Sequence, residues 1–297
     1  MILHRLEALA HECLANHWPL YLLLDPLAGC ATDDALHPDH LREQLGSQAL
    51  TPVPRPDLAH ALLSCPLLVR LAAAGESAPQ PLLERSARSG EQDEPGFRRY
   101  VCGWLSSTEP AEAIGRHLIE LGRLAGAPQG RFCPIHEPLR LELLAACHQA
   151  GGPVPWWPVR RWLYPASHGE PCVLSTDQAQ PLMLDARASS TLAEAPLIAR
   201  IMRLWWHRCG ALPPTATPDV LRQVQQARQL KLYEPRDIIT LALHQLAVHP
   251  DLHRHSLIRD FIAQAGAGRR SLAAAFDSMT QDAWDDVLWH HHHGVAR

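Results

Sequence analysis

The chain has no CxxC pair, no block of basic residues and no acidic tail. Nor has it an uninterrupted apolar run near the ~18 residues needed to span a bilayer. Each absence removes a class of protein. Without paired cysteines there is no zinc-ribbon or thioredoxin-like signature. Without a basic stripe there is no electrostatic footprint for nucleic acid. Without a long apolar run there is no membrane-inserted helix. The glycines form neither GxxxxGK[ST] nor GxGxxG, so nothing supports a nucleotide site. His136-Glu137 followed by His148 is not HExxH, and Gly103-Trp104-Leu105-Ser106-Ser107 lacks the second glycine of a GxSxG elbow.

What is present suits an ordinary folded protein. The 297 residues carry a net charge of −4, with 27 basic and 31 acidic side chains dispersed along the chain. That length supports one large domain or two modest ones. The opening MILHRLEALAHECLANHW has the pattern of an amphipathic helix rather than a secretory signal, with Glu7, His11 and Glu12 interrupting the apolar face. Eight single cysteines fall mostly in apolar runs, where the thiol packs as a small hydrophobe. Reduced thiols and a cytoplasmic location are expected.

Along the chain, Leu20–Leu24 reads as a strand buried on both faces and stopped by Asp25-Pro26. One or two helical turns fall around Pro38–Leu45, and Leu58–Leu63 has helical character. Leu67–Leu71 is a second buried strand, Pro81–Arg88 a helix and Gly90–Gly96 a surface turn. Residues 98–144 read as strand, turn, helix, second strand and second helix. Ser107 or Thr108 is the N-cap candidate, and Ile114, Leu118, Leu121 and Leu124 form one helical face. The segment Gly151–Pro165, where aromatics alternate with prolines and arginines, suits extended backbone, and residues 172–184 add one or two short strands. From Thr191 the period becomes helical. Leu197, Ile198, Ile201, Leu204 and Trp205 make one stripe, and helices follow over Asp219–Leu232, Arg236–Val248, Leu257–Ala265 and Ser271–Trp289. The fold class is α+β: a mixed α/β lobe over 1–187, with a small sheet flanked by helices, then an all-α lobe over 188–297.

Few residues look chemical. Cys133-Pro134-Ile135-His136 offers a thiol and an imidazole, but nucleophile dyads are seldom assembled from sequence neighbours. His249, His253 and His255 and the run His290–His293 could take up metal adventitiously, but a solvated, frayed C-terminus is the favoured reading of the run. Trp156, Trp157 and Trp162, with Arg160 and Arg161, are either core anchors or a partner-binding surface, since Trp and Arg dominate interface energetics. Trp205 and Trp206 pose the same choice.

Taken in order, several short steps resemble the type VI secretion effector chaperones, also called adaptor proteins (domain of unknown function 4123). They are Tyr21-Leu22-Leu23-Leu24-Asp25, Cys65-Pro66-Leu67-Leu68-Val69, Trp104-Leu105-Ser106-Ser107, Arg116-His117-Leu118, Arg131-Phe132 and Glu137-Pro138-Leu139. In the helical lobe, Ala227-Arg228-Gln229-Leu230, Tyr233–Ile238 and His249-Pro250-Asp251-Leu252 extend the likeness, which covers residues 18–265. The sequence departs from the family where Glu137 replaces an aspartate, where Cys133–His136 intervenes, and where Leu252 replaces an aromatic.

The resemblance implies a non-enzymatic adaptor, without cofactor or metal. It would bind a toxic effector in the cytoplasm and help load it onto the VgrG or PAAR spike, as a monomer when free. It also implies that Asp25, Arg131 and Glu137 hold turns and helix ends rather than touch a partner. Two other classes stand beside it: a hydrolase using Cys133 or His136 between the lobes, and an immunity protein that binds one toxin.

Overall fold

A computed structural model describes residues 1–92, 98–149, 155–179 and 181–293, with side chains described through residue 288. The protein is α+β and divides into two compact units, Met1–Ala195 and Pro196–Arg297. The division therefore lies after Ala195 rather than near 187.

The first unit is built on a six-stranded antiparallel sheet, β1 Leu20–Leu24, β2 Leu50–Pro52, β3 Leu67–Ala72, β4 Val101–Ser106, β5 Arg161–Pro165 and β6 Pro171–Ser175, in the order β2-β3-β1-β4-β5-β6. Its helices are α1 Ile2–Ala15, α2 Pro38–Leu45, α3 Gln80–Gln92, α4 Ala111–Gly126, α5 Pro138–Gln149 and α6 Ala186–Ala193. β1 is central, and all five of its side chains are buried. Leu20, Leu22 and Leu24 point into a core with Ile2, Leu6 and Leu9 of α1 and Leu82, Leu83 and Ala87 of α3. By strand alternation Tyr21 and Leu23 point the other way, toward the side where α4 packs on β2 and β3. This two-sided burial is why β1 is a continuous apolar run rather than an alternating one.

Between β1 and β4 the register slips. Leu23 pairs with Gly103 and Leu24 with Val101, leaving Cys102 as a bulge. Gly103 sits at φ +148, where a Cβ would lie 2.5 Å from the Leu163 carbonyl oxygen, so the bulge requires glycine.

Several expectations need correction. Arg131-Phe132 is not a strand. The segment instead runs against α4, with the Arg131 and Cys133 amides donating to the carbonyls of Gly126 and Gly122 at 3.2 and 3.0 Å. Leu124 is exposed, and Ala125 completes the buried stripe of Ile114, Leu118 and Leu121. The residue before α4 is Pro110. Ser107 Oγ, 2.7 Å from the Pro158 carbonyl, donates to it and accepts from the Glu109 amide. Leu58–Leu63 contains only the edges of two short 3-10 turns. Residues 172–184 contribute one strand among the described residues, β6, which meets the expectation of one or two. The helix read as Pro81–Arg88 continues to Gln92, and the rest of the expected Gly90–Gly96 turn, from 93, lies outside the described residues, as do residues 151–154 of the extended segment. α6 packs on α4 and α5 and belongs to the first unit.

The second unit consists of α7 Ala195–Cys209, α8 Ala216–Gln229, α9 Pro235–Ala247, α10 Ser256–Gly266, α11 Leu272–Asp277 and α12 Gln281–His293. Ile198, Ile201 and Met202 carry the buried face of α7, whereas Leu204 is exposed. The expected single helix over Ser271–Trp289 is two, α11 and α12, with Ser271 capping the first through the Ala274 amide. Asp237 is buried on α9 and accepts from the Leu272 amide at 2.8 Å, which ties α9 to the start of α11. Among the described residues no helix is long and apolar enough to cross a membrane.

Candidate functional site

The residues read as landmarks meet in the first unit. Asp25, fully buried at the end of β1, accepts from the Leu27 amide at 3.1 Å, and its own amide donates to the Tyr100 carbonyl at 2.8 Å. Its Oδ2 lies 3.4 Å from His136 Nε2 and 3.5 Å from Arg98 Nε. Arg98 Nε is also 3.6 Å from Glu137, which accepts from Arg140 Nε at 2.8 Å. Arg140 in turn reaches Cys133 Sγ at 3.3 Å and the Leu192 carbonyl at 3.2 Å. One chain of charge-assisted contacts thus joins the end of β1, the approach to β4, the segment before α5, and α6. Burial pushes the Asp25 carboxyl up. The hydrogen bond and charge of His136, the Leu27 amide and Arg98 outweigh it and hold the group below the usual carboxylate range.

This geometry does not assemble a Cys–His dyad. His136 is engaged by Asp25, and burial pushes the Cys133 thiol up despite its contact with Arg140, so the nucleophilic thiolate is disfavoured. Arg131, the third landmark, is exposed, and its backbone rather than its side chain does the packing against α4. Arg55 is a neighbour that sequence reading did not single out. Buried, it pairs with Asp57 at 2.7 Å and lies 5.3 Å over the Phe132 ring.

The tryptophan segment separates into two kinds of residue. Trp156 and Trp162 are buried, at 2% and 1% exposure, and are core residues rather than partner contacts. Trp157, Arg160 and Arg161 are partly exposed. The Arg160 guanidinium lies over two indoles, 5.1 Å from the Trp18 ring and 5.3 Å from the Trp157 ring. Arg161 pairs with Glu12 and Asp177, each at 2.9 Å. Trp18, distant in sequence, had no local signal to connect it with this segment.

The second unit holds a concavity that sequence reading missed. It has a volume of about 600 Å³ and is lined by residues of α9, α11 and α12 together with Arg208 of α7. Its aromatic wall is ordered: His244 stacks on Trp284 with centroids 5.7 Å apart, and Phe276 meets both edge-on, at 4.6 and 5.5 Å. Ile239, Leu243, Val248 and Leu288 supply aliphatic surface, and Arg208 and Asp277 place both signs of charge on the lining. Burial lowers the His244 pKa, and Arg208 lowers it further; the Thr240 carbonyl and Asp277 oppose the shift. This volume and mixture of apolar wall with sparse polar groups is typical of binding pockets.

The histidines near this unit's turns are used structurally. His253 lies between Gln226 and Gln245, at 2.9 and 3.1 Å, and His255 is 3.4 Å from Asp286. The side chains of the His290–His293 run lie outside the described residues. No protein-family model, no curated protein and no solved structure matches this chain.

Proposed function

We propose that this chain is a non-enzymatic adaptor that binds a type VI secretion effector in the cytoplasm and helps load it onto the VgrG or PAAR spike. The observation that carries this reading is the groove of the second unit. Its aromatic wall, aliphatic surface and two charges of opposite sign suit an amphipathic protein segment, whose apolar side packs on Trp284 and Phe276 while its charged residues meet Arg208 and Asp277. The ordered landmarks of the sequence agree with it. So does the engagement of Cys133 and His136 by Arg140 and Asp25, which gives these groups fastening roles in place of the hydrolase chemistry they suggested.

The test is co-expression of the tagged chain with the spike protein and the toxin encoded beside it. Both are expected to co-purify, with one adaptor per toxin, and Leu243→Glu in the groove is expected to release the toxin. Recovery of the toxin without the spike would favour an immunity protein. Recovery of neither would reject the adaptor reading.

A further inference from the structure

Two adjacent arginines at the start of β5 are used in opposite ways. Arg161 is neutralised twice, by Glu12 and by Asp177. Arg160 has no carboxylate within ion-pair distance among the described residues, although both lie beside Trp18. Its backbone is fixed, the amide donating to Ser106 at 2.8 Å and the carbonyl accepting from Thr176 at 3.0 Å. Its side chain is fixed as well, because an indole lies near the guanidinium from each of Trp18 and Trp157. Its Nε is enclosed without a hydrogen-bond partner, whereas neither Nη atom is enclosed in that way.

From this arrangement we infer that Arg160, Trp18 and Trp157 form a recognition site for a carboxylate on a protein partner. Cation–π contact orients a guanidinium and removes water from its faces, but it leaves the positive charge uncompensated. The Nη edge is then the part still able to bond, and two parallel N–H groups match the two oxygens of a carboxylate. Because both side chains and backbone are held in place, little rotamer entropy remains to be lost when the carboxylate arrives. The flanking indoles favour apolar neighbours on the ligand, so the expected element is an Asp or Glu set between apolar residues. This adds a chemical class of partner contact to the adaptor reading, and it is tested apart from that reading.

The experiment is ¹⁹F NMR on the full chain labelled with fluorotryptophan. The Trp18 and Trp157 resonances are assigned from Trp18→Phe and Trp157→Phe, and the probes are acetyl-Leu-Asp-Leu-amide and its Asn counterpart. The Asp peptide is expected to shift both resonances saturably, and the Asn peptide to bind about tenfold more weakly, as expected for the loss of a charge-assisted pair. Arg160→Gln should abolish the response, Arg160→Lys should weaken it, and Arg161→Gln should retain it. An unchanged resonance from buried Trp162 verifies that each variant is folded. The inference is overturned if the two peptides act alike, if the Asp peptide shifts neither resonance, if Arg160→Gln responds like the parent, or if inorganic phosphate reproduces the shifts. A response to the peptide with no toxin or spike recovered would reject the adaptor alone. Recovery of both with no peptide response would reject this site alone.

Discussion

The carbonyl oxygen of Arg131 occupies the space that a Cβ on Gly126 would need. The chain leaving α4 turns back across the helix, and Gly122 makes the same allowance one turn earlier, where a Cβ would sit 2.6 Å from the Cys133 carbonyl. Two glycines one helical turn apart thereby let the segment bearing Cys133 and His136 lie flat on α4 and deliver His136 to Asp25.

Three alanine substitutions on this helix should therefore differ in sign. Alanine gains about 1 kcal/mol of helix propensity over glycine. At Gly126 the obstruction is backbone, so Gly126→Ala should lose about 2 kcal/mol net, and Gly122→Ala should also destabilise. At Gly115 the nearest atom is Val53 Cγ2 at an ordinary 3.5 Å, so Gly115→Ala should be neutral to stabilising by up to ~1 kcal/mol. Urea denaturation of the three variants measures this.

Asp25 should make the first unit acid-sensitive. Its folded pKa lies below the ordinary 3.8, so the carboxylate contributes stability above that value, and the contribution is lost as pH falls through the lower folded value. Asp25→Asn should cost about 3 kcal/mol at neutral pH, since it removes the buried carboxylate that Arg98 and His136 approach and leaves Arg98 only Glu137. The gap between variant and parent should narrow in strong acid, as thermal melts across pH will read.

His117 should act at higher pH. Its ring bonds the Pro155 carbonyl at 2.8 Å, and burial lowers its pKa from 6.5 to about 4. Below pH 6.5 the unfolded chain takes up a proton that the folded chain refuses, so stability declines as pH falls toward the folded value and then levels. The total loss is on the order of 3 kcal/mol. His117→Gln should flatten this part of the curve, even if it lowers stability at neutral pH.

Thiol labelling should rank the cysteines by enclosure. Cys209 is exposed and should react first with a maleimide, followed by the half-buried Cys30 and Cys172, whose thiols are pushed up by burial. Cys13, pushed up to about 12, should stay unlabelled with the other buried thiols until the protein unfolds. Peptide mass spectrometry over a time course checks the order.

The elements foreseen from sequence are those whose signal is local. The apolar runs of β1, β3 and β4 and the periodic stripes of α4, α8, α9 and α10 needed no distant partner to be recognised. β2 escaped because it is three residues long and includes Pro52, and only its pairing with Leu67–Val69 makes it a strand. Leu124 was misassigned because one step of helical phase separates it from Ala125. The tryptophans divided for a similar reason: nothing local distinguishes the buried rings of Trp156 and Trp162 from the ring of Trp157 beside Arg160.

By itself the sequence determined the α+β class, most helices and the central strands, because backbone propensity and apolar period act over a few residues. The family resemblance also offered Asp25, Arg131 and Glu137 as fixed points, of which Arg131 has an exposed side chain. Only the tertiary structure decided that Arg98 would bridge Asp25 and Glu137, that Trp18 would meet Arg160, and that His244, Phe276 and Trp284 would wall one groove. Ion pairs, ring contacts and concavities depend on distances between segments remote in the chain, and these are set only when each unit packs within itself.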